Sequence, residues 1–140
     1  MSDRFFLDSN IFIYSFDRTA AAKARKAQQL IRLALTSQKG VVSYQVVQEF
    51  FNAALRRFVV PITVSEDEQY LATVLGPLLS VHSSTSLFVQ ALRTQAATRY
   101  SWYDSLIISA ALQAKCDVLY TEDLQHGQKV GPLRIVNPFL

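Results

Sequence analysis

The stretch Phe5-Phe6-Leu7-Asp8-Ser9-Asn10-Ile11-Phe12-Ile13-Tyr14 constrains this chain more than any other. Three large apolar residues read as a short buried strand. They stop at a carboxylate followed by Ser and Asn, both favourable at a helix N-terminus. A strand that gives way to a helix at an acid is the start of a βα unit. In open α/β sheets, ligands collect in the crevice at the carboxyl ends of the strands. Asp8 therefore fits two roles: capping the helix that begins near Asn10, or presenting its charge to a site.

The alternation continues along the chain. Residues 10–16 read as a short helix. Ala20 to Thr36 read as a longer one, with Ala24, Ala27, Leu30, Ile31 and Leu35 on one face and Lys23, Arg25, Lys26 and Arg32 on the other. That basic face suits bulk water and would also suit RNA phosphates. Ser37 to Gly40 is expected to end the helix, with Gly40 as its left-handed cap, and Val41 to Ser43 reads as a second strand. Val47, Phe50, Phe51, Ala54 and Leu55 mark a helix from Tyr44 to Phe58 that Pro61 terminates. Glu49 sits beside that stripe, where an exposed glutamate is also at home. Ser65 to Glu68 has capping-box spacing, which assigns its acids to the helix dipole. Leu78 to His82 is a third expected strand, followed by a helix from Thr85 to Arg99.

Beyond Ser101, nearly every position after Asp104 is apolar or small as far as Ala114, the mark of a helix buried on most sides. Asp104 lies in its first turn, where a box with Ser101 would also explain it. Asp117 to Tyr120 supplies another strand, and Thr121-Glu122-Asp123 follows, so an acid again stands where a strand yields to a loop. Gln125 to Gly127 reads as a turn, with His126 as a loop residue, and Leu133 to Val136 is the last strand.

Composition agrees with this α/β alternation. With 140 residues, half of them hydrophobic and 18% charged, the chain is expected to form a single domain over 1–140 with one core. The lone Cys116 excludes an internal disulfide and suits a buried thiol in a reducing, cytoplasmic setting. No run of about 18 apolar residues could span a bilayer, and no secretory signal is expected. A net charge of +3 permits a polyanionic partner without requiring one, and the apolar excess points to a partner surface.

Each acid has an ordinary explanation alone, so the argument rests on the set. Asp8 and Asp123 follow strands, and Asp104 opens a buried helix. In a parallel sheet, strand ends and the following helix starts share one edge. Glu49 joins them if its helix packs beside the first strand. Three or four carboxylates converging there repel one another unless a cation neutralises them, because burying unpaired anions is costly. Oxygen-only ligands favour Mg²⁺ or Mn²⁺ over Zn²⁺, and such ions serve phosphodiester hydrolysis.

The four acidic segments, Phe-Leu-Asp8-Ser-Asn10, Val-Val-Gln-Glu49-Phe, Trp-Tyr-Asp104-Ser-Leu-Ile and Thr121-Glu122-Asp123, resemble the acidic motifs of PIN-domain nucleases, most of all the VapC toxin branch. The resemblance spans the chain in order. It implies a PIN-like three-layer α/β/α fold with a central, mostly parallel sheet of about four to five short strands. It also implies that Asp8, Glu49, Asp104 and Asp123 hold Mg²⁺ or Mn²⁺, while Asn10 and Thr121 orient carboxylates or water by hydrogen bonds. Glu122 is an extra acid beside the fourth motif, whose spacing favours Asp123 as the ligand. The family further implies an endoribonuclease that cuts structured RNA such as tRNA or ribosomal RNA, a VapB-like antitoxin and a homodimer. A housekeeping PIN nuclease, or a non-catalytic module that binds RNA or a partner and whose acids only cap helices, are the competing readings. A haloacid-dehalogenase-type phosphatase is disfavoured, because its second acid, two residues after the first, is Asn10 here.

Overall fold

The computed structural model describes residues 2–56 and 62–140. Strand β1 (Phe5–Leu7) leads into α1 (Ser9–Tyr14) and α2 (Ala21–Ser37), and β2 (Gly40–Ser43) leads into α3 (Tyr44–Ala54). Helix α4 (Val64–Tyr70) runs through a π-helical segment (Leu71–Leu75) into the short α5 (Gly76–Leu78). Next come β3 (Leu79–Val81), α6 (Thr85–Thr98), α7 (Trp102–Gln113) and β4 (Val118–Tyr120), and the chain closes with β5 (Lys129–Val130) and β6 (Leu133–Val136).

Among the described residues six strands lie in the order β3-β2-β1-β4-β6-β5, parallel throughout except where β5 runs against β6. One strand more than expected is present, because β5 is two residues long and too short to carry an alternating pattern. Successive strand residues point to opposite faces, and Phe5, Phe6 and Leu7 are all buried. Both faces of the sheet are therefore covered, giving the three-layer α/β/α arrangement.

This strand order locates the site. The chain lays down β1, β2 and β3 toward one edge, then returns past β1 to place β4. With right-handed crossovers, the helices of the two halves fall on opposite faces, and the order reverses between β1 and β4. Their carboxyl ends form the topological switch point, where a crevice opens. Register makes those ends meet: Leu7 pairs with Tyr120, and the Asp8 amide donates to the Tyr120 carbonyl at 3.1 Å.

Packing then brings α3 to the same edge. Phe12 of α1 meets Phe50 of α3 edge to face at 6.4 Å, and Phe50 stacks on Tyr70 of α4 at 5.0 Å. Phe6, Phe12 and Phe50 are fully buried, and each such side chain contributes about 1.5–3 kcal/mol. On the other half, the Thr94 and Ser109 hydroxyls pair at 3.1 Å in the buried seam between α6 and α7.

Some local expectations shift. The left-handed cap of α2 is Gln38, at φ 61°, and Gly40 is the first residue of β2. Gly40 is required there for another reason, since a Cβ would stand 2.1 Å from the Cβ of Ala34. The capping box of α4 is built by Thr63 and Glu66, two residues before the expected Ser65. Thr63 already has the extended backbone that a cap needs. At α7, Ser101 accepts from the Asp104 amide as expected. Helix α3 ends at Ala54, short of the expected Phe58, and Phe58 and Pro61 lie outside the described residues. Cys116 is buried, and burial pushes its thiol up to about 12.

Candidate active site

Asp8 is the base of the site. It is 6% exposed, one residue beyond β1, with both carboxylate oxygens engaged. Oδ1 accepts the Ser9 amide at 2.7 Å, and Oδ2 accepts the Thr121 hydroxyl at 2.8 Å. The capping role is thus real, yet it leaves the charge uncompensated. Burial first, and the charges of Glu49 and Asp123 after it, push the Asp8 carboxyl up to about 7 against the pull of its two hydrogen bonds.

Thr121 carries the link from β4. Its hydroxyl accepts the Asp123 amide at 3.1 Å while donating to Asp8. Asn10, in the first turn of α1, donates its side-chain amide to Thr121 Oγ1 at 3.3 Å and to Asp123 Oδ2 at 3.2 Å. Asn10 Oδ1 is buried, with no hydrogen-bond partner among the described residues. One continuous network therefore runs Asp8, Thr121, Asn10, Asp123, across more than a hundred residues of chain.

Glu49 enters from α3. It is half-buried and bonded by the side chains of Ser9 and Gln45, and its carboxyl is raised, by burial first and then by the charges of Asp123 and Asp104. Asp104, half-buried at the start of α7, is the outlying member, within electrostatic reach of Glu49. Asp123 is exposed at the rim. The four acids thus descend from an open mouth to a buried floor. Glu122 turns elsewhere: its carboxylate binds Lys23 and Tyr14. No ion pair to Asp8, Glu49, Asp104 or Asp123 forms among the described residues.

Such a set suits a hard divalent cation. Its donors are oxygens, the charges of its other members add to the raised pKa of Asp8 and of Glu49, and Asn10 offers a buried acceptor without a partner among the described residues. Among the described residues no group of three His, Cys, Asp or Glu side chains is placed to hold a metal ion. Mg²⁺ does not require one, because it binds through one or two carboxylates and keeps several waters.

The PIN domain profile matches residues 5–130. The chain belongs to the PIN domain family. Solved structures similar to this PIN domain include a toxin-antitoxin complex from Klebsiella pneumoniae, with TM-score 0.65, 18% identity and coverage of 95% of this chain and 96% of that one. VapBC2 from Rickettsia felis bound to a promoter DNA fragment matches with TM-score 0.63 and 15% identity over 94% and 96% of the two chains. FitAcB from Neisseria gonorrhoeae matches with TM-score 0.60 and 14% identity over 96% and 98%. At these identities the likeness is one of fold. No curated protein matches in sequence. Among the described residues, no helix is long and apolar enough to cross a membrane.

Ser9, Gln45, Tyr14 and Lys23 are partners that sequence reasoning missed. Gln45 carried a signal, a polar residue one turn before Glu49 on the same helix face. His126 is a loop residue, its Nδ1 accepting the Asn137 amide at 2.9 Å, and His82 is exposed.

Proposed function

We propose that this PIN domain is an Mg²⁺- or Mn²⁺-dependent endoribonuclease, the toxin of a toxin-antitoxin pair, acting on structured RNA such as tRNA or ribosomal RNA. The observation that carries this reading is that the charges of Glu49 and Asp123 reach the buried Asp8 at the switch point and that of Asp104 reaches Glu49, with no ion pair to any of the four among the described residues. Asp8, Glu49, Asp104 and Asp123 would hold the ion. A bound ion supplies charge neutralisation at the phosphoryl oxygens and activates water for attack. The chain's own residues orient the parts. Thr121 and the Ser9 amide fix the Asp8 carboxylate, Asn10 steadies Asp123, and Asn10 Oδ1 can accept a hydrogen bond from a water in the site.

The toxin role is supported by a neighbour of the same fold, from Klebsiella pneumoniae, whose solved form is a toxin-antitoxin complex. An antitoxin of the VapB kind, a homodimer and a cytoplasmic setting belong to the same proposal. Phe88, Val89 and Leu92 are exposed along one side of α6, an apolar face that suits a second copy of the chain. A housekeeping PIN nuclease would share the acids, and growth arrest on expression separates the two.

The experiment is induction of wild type and Asp8→Asn in cells, with sequencing of the cut RNA ends. Arrest and discrete cuts with wild type alone support the proposal. Equal cutting by Asp8→Asn would remove the mechanism.

A further inference from the structure

Glu122 and Asp123 are consecutive acids in the loop after β4, and their side chains reach different partners. Asp123 turns toward Asn10 in the site. Glu122 Oε1 accepts the Tyr14 hydroxyl at 2.7 Å, and Oε2 accepts the Lys23 ammonium at 2.8 Å. Lys23 lies over the Tyr14 and Phe139 rings, 4.7 and 5.6 Å from their centroids, and those rings meet at 5.0 Å. Helices α1 and α2, the site loop and the C-terminal residues thus converge on one ion pair. The Lys23 and Glu122 side chains are 41% and 28% exposed, so the pair adds little to stability in isolation. Its position matters more than its strength, because it fixes the residue directly before Asp123.

We propose that Lys23, Glu122 and Tyr14, packed against Phe139, form a clamp that positions Asp123, and that Glu122 is an anchor for the loop and not a metal ligand. This rests on the reading of Asp8 and Asp123 as site acids. The same ion pair keeps the Lys23 ammonium on Glu122 and away from the four carboxylates. The Tyr14 hydroxyl is raised, chiefly by its bond to Glu122.

The test compares wild type with Lys23→Met, Glu122→Gln, Tyr14→Phe and the double variant Lys23→Met/Glu122→Gln, using Asp123→Asn as reference. Four quantities are measured: the Asn10 side-chain amide resonances in the metal-free protein, Mn²⁺ affinity, and kcat and KM for RNA cleavage. The clamp predicts shifted Asn10 resonances in the Lys23, Glu122 and Tyr14 single variants. In Lys23→Met and Glu122→Gln, Mn²⁺ affinity and kcat each fall about tenfold, with KM less affected. The double variant is no worse than the worse single one, because both substitutions break one unit. Glu122→Gln matching Asp123→Asn in lost Mn²⁺ binding, with Lys23→Met silent, would make Glu122 a ligand and overturn the proposal. Unmoved Asn10 resonances in all the clamp variants would also overturn it. The Asn10 measurement needs neither metal nor activity, so it separates failure of the clamp from failure of the nuclease reading.

Discussion

Strands β1 and β4 have acids near both of their ends, and the two ends treat them differently. At the amino edge, Asp117 Oδ2 accepts the Asp3 amide at 2.8 Å, the Arg4 guanidinium donates to the Ala114 carbonyl at 3.1 Å, and Lys39 Nζ donates to the Ser2 carbonyl at 3.1 Å. Acids and bases are interspersed there and find partners in the backbone. At the carboxyl edge, Asp8 is buried and pushed up to about 7, Glu49 is raised as well, and the basic side chain drawn into that region, Lys23, is taken by Glu122. The amino edge joins the strands to the loops below them. The carboxyl edge holds an excess of negative charge that a bound cation would relieve.

The largest expected effect contrasts the two edges in cleavage. Asp8→Asn and Asp104→Asn should each lower RNA cleavage by at least about 100-fold, equivalent to about 2.7 kcal/mol of barrier, while Asp117→Asn stays within about twofold. Rates on a defined RNA in Mn²⁺ check this. A large loss with Asp117→Asn would erase the distinction between the edges.

A smaller effect follows from the raised pKa of Asp8. Its value of about 7 in the folded protein lies above the ordinary 3.8, so the folded state binds the proton more tightly than the unfolded state. The stabilising contribution is complete below pH 3.8 and is lost as pH rises through about 7. Denaturant unfolding of the metal-free protein should therefore show stability declining across that window. Asp8→Asn should flatten the decline and leave the metal-free variant about 1–2 kcal/mol more stable at pH 8. An unchanged slope in the variant would contradict the assignment to Asp8.

The smallest effect on cleavage is expected at Gly40, at the start of β2. Gly40→Ala places a methyl 2.1 Å from the Ala34 Cβ and should destabilise the fold by about 1–3 kcal/mol. The rate per folded molecule should stay unchanged, as thermal melts paired with cleavage assays would show. A lower rate per folded molecule would mean that the two edges are not independent.

Much of this contrast was legible in the residues. The apolar triplet before Asp8 and the strand before Thr121 announced a βα fold with acids at strand ends, because burial on both faces writes unbroken apolar runs. Asp104 stood out against the apolar α7, and Glu49 beside an apolar stripe. What stayed hidden depends on neighbours far apart in sequence. Lys23 read as part of a solvated face, since nothing periodic ties it to Glu122, 99 residues away. Gly40 looked like a helix cap, because the approach of Ala34 has no sequence signature. Strand β5 was too short to register, and its pairing is set by the turn at Gly131, at φ 57°.

The most direct test is the melting temperature of the purified protein, with and without Mn²⁺, for wild type and Asp8→Asn. An ion that binds only the folded state at 100 times its Kd stabilises it by about 2.7 kcal/mol, so wild type should gain several degrees and Asp8→Asn little or nothing. No gain in wild type, or an equal gain in Asp8→Asn, would contradict the claim that the carboxyl-edge acids form a cation site.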